Sequence, residues 1–261
     1  MSRKPNWIES EIKNGIMEVK LMSWRYFYDY VRIEMLDYSH YIWRGQKEAK
    51  WKLESSLDRL LRGKPESQRR SYRRRHLERF KLAVRGRRGP NPSRLESEND
   101  WWALGQHHGM ATPLLDWTES PFVALYFAVE DENVPESGTR AVWSLGGVKN
   151  KNQQIIEAHS GALPPPVLEM IRPQQDEDSR LVNQAGLFTS VPLDKTVDSW
   201  VEENYSGKSD GANLLKLIIP NGERTDCLRT LNKMNINHLS LFPDLYGAGQ
   251  HCNKFLRIDK Y

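Results

Sequence analysis

Short apolar stretches typical of β-strands alternate irregularly with helical stretches along this chain of 261 residues. Strands are predicted at residues 39–45, 141–145, 186–191 and 214–219, where apolar runs are bounded by turn residues. An irregular order of short strands and helices favours an α+β fold over a doubly wound parallel sheet. We therefore predict a single main domain with a small central mixed or antiparallel sheet flanked by helices.

The helices are predicted from apolar spacing and from start and stop signals. Residues up to about Tyr38 should be mostly helical, because Trp24, Phe27, Val31 and Met35 recur at spacings of three and four. Residues 1–38 then form an N-terminal helical segment, and residues 39–261 form the main domain with a basic helical insertion at about 59–88. Further helices are expected at 66–85, from Asn99 or Asp100 to Gly109, from Ser120 to about 131, at 196–203, at 225–233 and after Pro243.

The composition excludes several classes of protein. No stretch approaches the roughly 18 to 20 apolar residues of a membrane-spanning helix, and the first residues lack the apolar core of a signal peptide. We therefore expect a cytoplasmic location and no membrane partner. The two cysteines, Cys227 and Cys252, are too few for a disulfide framework and have no CxxC spacing.

The net charge of +4 hides a strongly basic segment. Between Arg59 and Arg88 there are thirteen Lys or Arg and two acidic residues, so this segment carries +11 and the rest of the chain −7. Such an asymmetry indicates a polyanionic partner, either nucleic acid or an acidic protein. The alternative is a solvated helix surface. The residues predicted to contact nucleic acid are Arg69, Arg70, Arg73, Arg74 and Arg75.

The densest run of functional residue types lies between Gln106 and Ser120. Ser120 precedes a proline, which is the pattern of a helix start, and a helix N-terminus attracts anions. We expect Asp116, Thr118 and Ser120 to cluster there, either as a binding site with Gln106 and His107 or only as capping and turn residues. Side chains of adjacent histidines point about 100° apart on a helix, so no metal site is expected.

Several of these motifs resemble the FRG domain, a bacterial family named for a Phe-Arg-Gly motif. The similar segments are residues 41–46, 51–57, 106–118, 124–128, 183–189 and 241–245, so the resemblance covers about residues 41–248. Trp43 replaces the phenylalanine of the motif, and Pro113 stands where many members carry an arginine. The resemblance implies a domain type rather than a reaction.

Residues 41–45 also resemble the arginine-bearing strand with which one class of ADP-ribosyltransferases holds the phosphates of NAD. This resemblance implies that Arg44 and Gly45 contact NAD as substrate. Thr189 and Ser190 are similar to a strand that supports the nicotinamide pocket, and Tyr126 lies on a helix similar to one whose tyrosine stacks near nicotinamide. The expected NAD site is completed by Gln106, His107, Thr118 and Ser120.

Transfer from NAD needs a carboxylate that stabilises the developing oxocarbenium ion. The usual Glu-x-Glu is absent, and the candidates are Asp116, Glu119, Glu223 and Asp244, with Asp116 favoured and Asp244 second. We therefore predict an ADP-ribosyltransferase-like enzyme that modifies a macromolecule. A toxin or anti-phage role would suit such an enzyme. The alternatives are a nucleic-acid-binding or nuclease-type module and a non-catalytic interaction domain.

Overall fold

An eight-stranded mixed sheet lies at the centre of the protein. The computed structural model describes residues 5–161, 163–173, 179–208 and 211–261. The strand order is β1-β2-β8-β5-β3-β4-β7-β6, and within the described strands only β2 and β8 pair in parallel. The strands are β1 (Trp7–Glu9), β2 (Ile16–Leu21), β3 (Ile42–Gln46), β4 (Leu114–Thr118), β5 (Thr139–Leu145), β6 (Glu169–Ile171), β7 (Gly186–Ser190) and β8 (Leu214–Pro220).

Eleven α-helices flank this sheet in the part of the chain that is described. The α+β prediction is confirmed, and so are the strands predicted near β3, β5, β7 and β8. The helices are α1 (Tyr26–Tyr30), α2 (Ser56–Leu61), α3 (Glu66–Ala83), α4 (Glu98–His107), α5 (Pro121–Val129), α6 (Val148–Ala158), α7 (Ser179–Asn183), α8 (Val197–Asn204), α9 (Arg224–Lys233), α10 (His238–Leu241) and α11 (Leu245–Arg257).

The predicted helical character of residues 1–38 was wrong for much of that segment. Residues 1–4 lie outside the described part, and β1 and β2 form where a helix was expected. Val19 and Leu21 are buried whereas Glu18 and Lys20 are exposed, which is the alternation of a strand with one face on the core. The helical prediction holds from Tyr26 to Met35, where α1 continues into a turn of π-helix.

The helix capped by Asn99 or Asp100 in the prediction begins earlier. Ser97 is the N-cap of α4, because its hydroxyl accepts the Asp100 backbone N–H at 3.1 Å. The Asp100 carboxylate accepts the Ser97 N–H in return at 2.9 Å, so Asp100 closes a capping box from the third helical position.

Helix α5 packs closely against β3, and Gly45 makes this approach possible. A Cβ at residue 45 would lie 2.0 Å from the Ala124 carbonyl oxygen and 2.4 Å from the Ala128 nitrogen. Only glycine fits such a contact between helix and strand backbones. Strand β3 continues to Gln46. Arg44 lies inside this strand and not near its end, where the predicted strand at residues 39–45 placed it.

Within the described part of the chain, no helix has both the length and the apolarity that a membrane crossing requires.

Candidate functional site

A cleft of about 580 Å³ is lined by residues of β3 and β4 and by the C-terminal end of α5. Its charged groups include Arg44 and Asp116 from the strands and Glu130 from the end of the helix. Aromatic side chains, Phe127 and Phe242 among them, also line it. A cleft with cationic, anionic and aromatic groups suits a ligand that carries phosphate, hydroxyl and ring systems together.

Arg44 is the best-placed cation in this cleft. Its Nη1 donates to the Asp116 backbone carbonyl at 2.7 Å and lies 3.7 Å from Asp116 Oδ2. Its side chain is 21% exposed, and its buried Nε has no hydrogen-bond partner among the described residues. The pKa of Arg44 is lowered, mainly by burial and also by the charge of Arg59. The charge of Asp116 partly offsets this shift. The buried Nε lies out of reach of a ligand, but the exposed part of the Arg44 side chain can pair with an anion in the cleft.

Asp116 is held by a chain of side chains that begins inside the protein. The buried Thr112 hydroxyl donates to Gln106 Oε1, and Gln106 Nε2 donates to Asp116 Oδ1 at 2.7 Å. Both ends of the Gln106 amide are therefore engaged, which fixes its orientation. Asp116 lies in the middle of β4 with a side chain that is 62% exposed. The interpretation of Asp116 as a helix cap is therefore wrong.

Residues 39–137, which include this arginine, glutamine and aspartate, match the family model of the FRG domain. The chain contains an FRG domain. No curated protein matches the chain, and no solved structure matches it. The matched stretch is shorter than the resemblance predicted from the sequence, since the motifs at 183–189 and 241–245 lie beyond it.

The FRG domain of this chain has a buried proline at residue 113, where many relatives were expected to carry arginine. Arg44 and Arg59 both line the cleft. Arg59 also donates to the Glu54 carbonyl at 3.1 Å, which fixes part of its guanidinium. These two arginines provide positive charge in the cleft although position 113 carries no arginine.

Thr118 and Ser120 have structural contacts that explain their presence. The Thr118 hydroxyl donates to the Gln184 carbonyl at 2.6 Å and accepts the Ser120 N–H at 3.0 Å. The Ser120 hydroxyl accepts the Val123 N–H at 3.4 Å, as the predicted N-cap of α5. Thr118 lines the cleft nevertheless. The capping interpretation is confirmed for Ser120.

Tyr126, Thr189 and Ser190 are buried, and these three residues do not line the cleft. The Tyr126 hydroxyl lies 2.8 Å from His238 Nδ1, and Thr189 accepts a hydrogen bond from Trp117 Nε1 at 2.8 Å. The predicted stacking role of Tyr126 is not supported, because its ring is fully enclosed by the core. Its neighbour Phe127 packs against the core and also lines the cleft.

His107 ends α4 and packs edge to face against the ring of His108 at 4.8 Å between centroids. The two neighbouring histidines thus contact each other. Among the described residues, no group of three His, Cys, Asp or Glu side chains is arranged to hold a metal ion.

The other three predicted carboxylates are engaged elsewhere, and Glu119 forms an ion pair with Arg172. Asp244 is the N-cap of α11 and accepts the Gly247 N–H at 2.7 Å, while Arg180 Nε donates to it at 2.7 Å. The Gly247 bond and Arg180 lower the pKa of Asp244. Glu223 accepts a hydrogen bond from the Ser23 hydroxyl and lies 3.6 Å from Arg25 Nε. Asp116 is thus the predicted carboxylate that lies in the cleft.

Sequence reasoning missed Glu130 and Asp131, two carboxylates at the end of α5 that line the cleft. Burial raises the pKa of Asp131, but the hydrogen bonds from Lys47 and Asn133 outweigh burial and lower this pKa to about 2. Lys47 Nζ donates to Asp131 at 2.8 Å. Burial raises the pKa of Glu130. A signal existed in the sequence, since acidic residues directly after a helix interact unfavourably with the negative end of its dipole. Such a placement indicates that other groups compensate for this cost.

The basic helix α3 divides its arginines between two roles. Arg69 forms an ion pair with Asp194, and burial lowers the pKa of the half-buried Arg73 while Asp58 raises it. These two arginines stabilise the fold rather than face solvent. The exposed members of the predicted nucleic-acid set are Arg70, Arg74 and Arg75, and Arg75 stacks over the Tyr72 ring at 4.8 Å.

Proposed function

We propose that this FRG-domain protein is an NAD-dependent, ADP-ribosyltransferase-like enzyme that modifies a macromolecule. The observation that carries the proposal is Arg44, a largely buried but still accessible guanidinium on the wall of a cleft that is large enough for a nucleotide. A pyrophosphate offers several acceptor oxygens, and the guanidinium fork matches their geometry.

The remaining groups of the cleft suit the other parts of NAD. The aromatic side chains Trp51, Phe127 and Phe242 provide faces for its rings. Asp116 provides a carboxylate whose backbone carbonyl also holds Arg44, so the anion-binding group and the carboxylate are fixed relative to each other. We propose that Asp116 stabilises positive charge that develops on the ribose as the glycosidic bond breaks.

An NAD-consumption assay on the full chain tests this proposal. The wild type should consume NAD, Arg44→Ala should abolish consumption, and Arg44→Lys should lose most of it because an ammonium cannot replace a bidentate contact. Arg32→Ala is a matched control, because Arg32 is an exposed arginine on the π-helical turn, 3.8 Å from Asp29. Unchanged NAD affinity in Arg44→Ala would remove the basis of the proposal.

A second candidate function is nucleic-acid binding, which the three exposed arginines of α3 favour. They could neutralise successive phosphates, and Tyr72 lies beside them. In this case nucleic acid is either the modified macromolecule or the ligand of a module without NAD chemistry. A protein that binds neither NAD nor nucleic acid would fit the third alternative, a non-catalytic interaction domain.

A role in toxicity or anti-phage defence is the biological setting that we propose for the enzyme. Growth of cells that express the wild type or Arg44→Ala would test it, since only the wild type should be toxic or protective.

A further inference from the structure

We infer that Glu130 forms a subsite for sugar hydroxyl groups in the same cleft as Arg44. The inference rests on the proposed function, because it takes the ligand of the cleft to be a nucleotide. Glu130 directly follows the last residue of α5 and lines the cleft. Its position, its free acceptor oxygens and the charges around it carry the argument.

The backbone at Glu130 is fixed by cations that come from other parts of the chain. Arg224 Nη2 donates to the Glu130 carbonyl at 2.8 Å, and Lys254 Nζ donates to the same oxygen at 3.0 Å. Two residues earlier, the buried Arg140 donates from Nη1 to the Ala128 carbonyl at 2.8 Å. Cations at a helix C-terminus satisfy its free carbonyls and interact favourably with the negative end of its dipole. The end of α5 is therefore held rigidly, and Glu130 with it.

The carboxylate of Glu130 is available to a ligand. Its side chain is 31% exposed, and among the described residues it accepts no hydrogen bond. His238 lies close to this carboxylate, with its Nδ1 3.6 Å from Oε2 and 2.8 Å from the Tyr126 hydroxyl. Burial and the charge of Lys254 lower the pKa of His238 to about 4, so the imidazole is neutral at pH 7. Glu130 thus has free acceptor capacity, whereas Asp131 beside it is occupied by Lys47.

The charges around Glu130 favour neutral donors over a cationic ligand group. Lys254, Arg224 and Arg140 act on its carboxylate as positive charges, and together they outnumber the negative charge of Asp131 beside it. A ligand cation would meet this positive surrounding, whereas a hydroxyl donates a hydrogen bond without adding charge. Neighbouring hydroxyls on a sugar ring could bond to both carboxylate oxygens. We therefore assign the diol of the ribose that carries nicotinamide, rather than the charged nicotinamide ring, to Glu130.

Calorimetry on the full chain with two probes, ADP-ribose and ADP, tests the assignment. The terminal ribose should give the wild type tighter binding to ADP-ribose than to ADP. Glu130→Gln and Glu130→Ala should weaken ADP-ribose binding by roughly 10- to 100-fold, as expected for hydrogen bonds to a charged group, and leave ADP binding unchanged. Glu132→Gln is the matched control, because Glu132 is two residues away and pairs with Arg257 at 3.3 Å.

The results separate this inference from the proposed function. If the Glu130 variants weaken both probes equally, or neither, the sugar subsite is refuted. A wild type that shows Glu130-dependent preference for ADP-ribose but consumes no NAD would support the subsite and refute the transferase. Normal NAD consumption by Glu130→Gln would support the transferase and refute the subsite. Melting curves of both variants should lie close to that of the wild type, since the cations bind the backbone of residue 130 and not its side chain.

Discussion

Asp116→Asn separates the electrostatic role of this carboxylate from its role in the fold. The change keeps the size of the side chain, and Asn can still accept the hydrogen bond from Gln106 Nε2 through its carbonyl oxygen. Arg44 remains held, since its 2.7 Å hydrogen bond is to the backbone carbonyl of residue 116. What is lost is a charge 3.7 Å from the Arg44 guanidinium, on a side chain that is 62% exposed.

The expected magnitudes follow from this geometry. An exposed ion pair contributes about 0.2–1 kcal/mol, so the unfolding free energy should fall by no more than about 1 kcal/mol. For a chain of this size that corresponds to a shift in Tm of about 2–4 °C at most. Turnover should fall by roughly 10² or more, because a neutral amide stabilises a developing cation far less than a carboxylate.

A melting curve paired with an NAD-consumption assay measures both quantities on the same preparation. A stable variant with normal turnover would refute the catalytic role of Asp116. A Tm far below that of the wild type would show instead that the charge is structural, and would contradict the reasoning from exposure. Gln106→Leu provides a comparison, because it removes the 2.7 Å donor while the charge of Asp116 stays.

Three further variants test the packing, the basic helix and the buried histidine. Gly45→Ala should destabilise the protein by about 3 kcal/mol or more in urea unfolding, since its Cβ would overlap the α5 backbone. His238 has a pKa lowered from 6.5 to about 4, so stability should be full above pH 6.5 and fall by up to about 3 kcal/mol as the pH drops to 4, and His238→Gln should flatten this dependence. A triple change to Gln on α3 should weaken duplex DNA binding and flatten its log-log salt dependence by about 0.9 per lost contact; the residues changed are Arg70, Arg74 and Arg75.

Matched controls distinguish these effects from general damage. Gly63→Ala should be tolerated, because the nearest atom to a Cβ at that position is 4.0 Å away. Changing Arg69 and Arg73 to Gln should lower stability, since both face acidic residues, and should leave the salt dependence of DNA binding unchanged. If instead this pair controls DNA binding, the division of the arginines between two roles is wrong.

Sequence periodicity predicted the elements whose apolar pattern is strong and local. Helix α3, helix α5 and strand β8 were found in this way, and so was the helix start at Ser120. Strand β4 was missed, because it follows Pro113 and carries an exposed aspartate within its five residues. Strand β1 has only three residues and gains its order from pairing with β2, a contact that no local pattern specifies.

Short sequence motifs likewise predicted only part of the candidate site. Arg44 and Asp116 carry recognisable types of side chain in short motifs, and their proximity arises where β3 and β4 become neighbours in the sheet. The acidic residues after α5 were a sequence signal for Glu130, but the residues that hold its backbone lie far away in the sequence. Arg140, Arg224 and Lys254 each have ordinary local surroundings, and only the folded chain brings them to the end of α5.

The FRG match at residues 39–137 contains the chemistry of the cleft, but its structure depends on the rest of the chain. β3 pairs along its whole length with β5, and β4 pairs along its whole length with β7, and both partner strands lie beyond residue 137. The contact between β3 and β4 themselves is a single residue pair, Trp43 with Thr118. Two strands joined so weakly need the neighbouring strands to fix their separation. The separation of the strands that carry Arg44 and Asp116 therefore depends also on residues outside the FRG match, and the cleft requires at least β5 and β7.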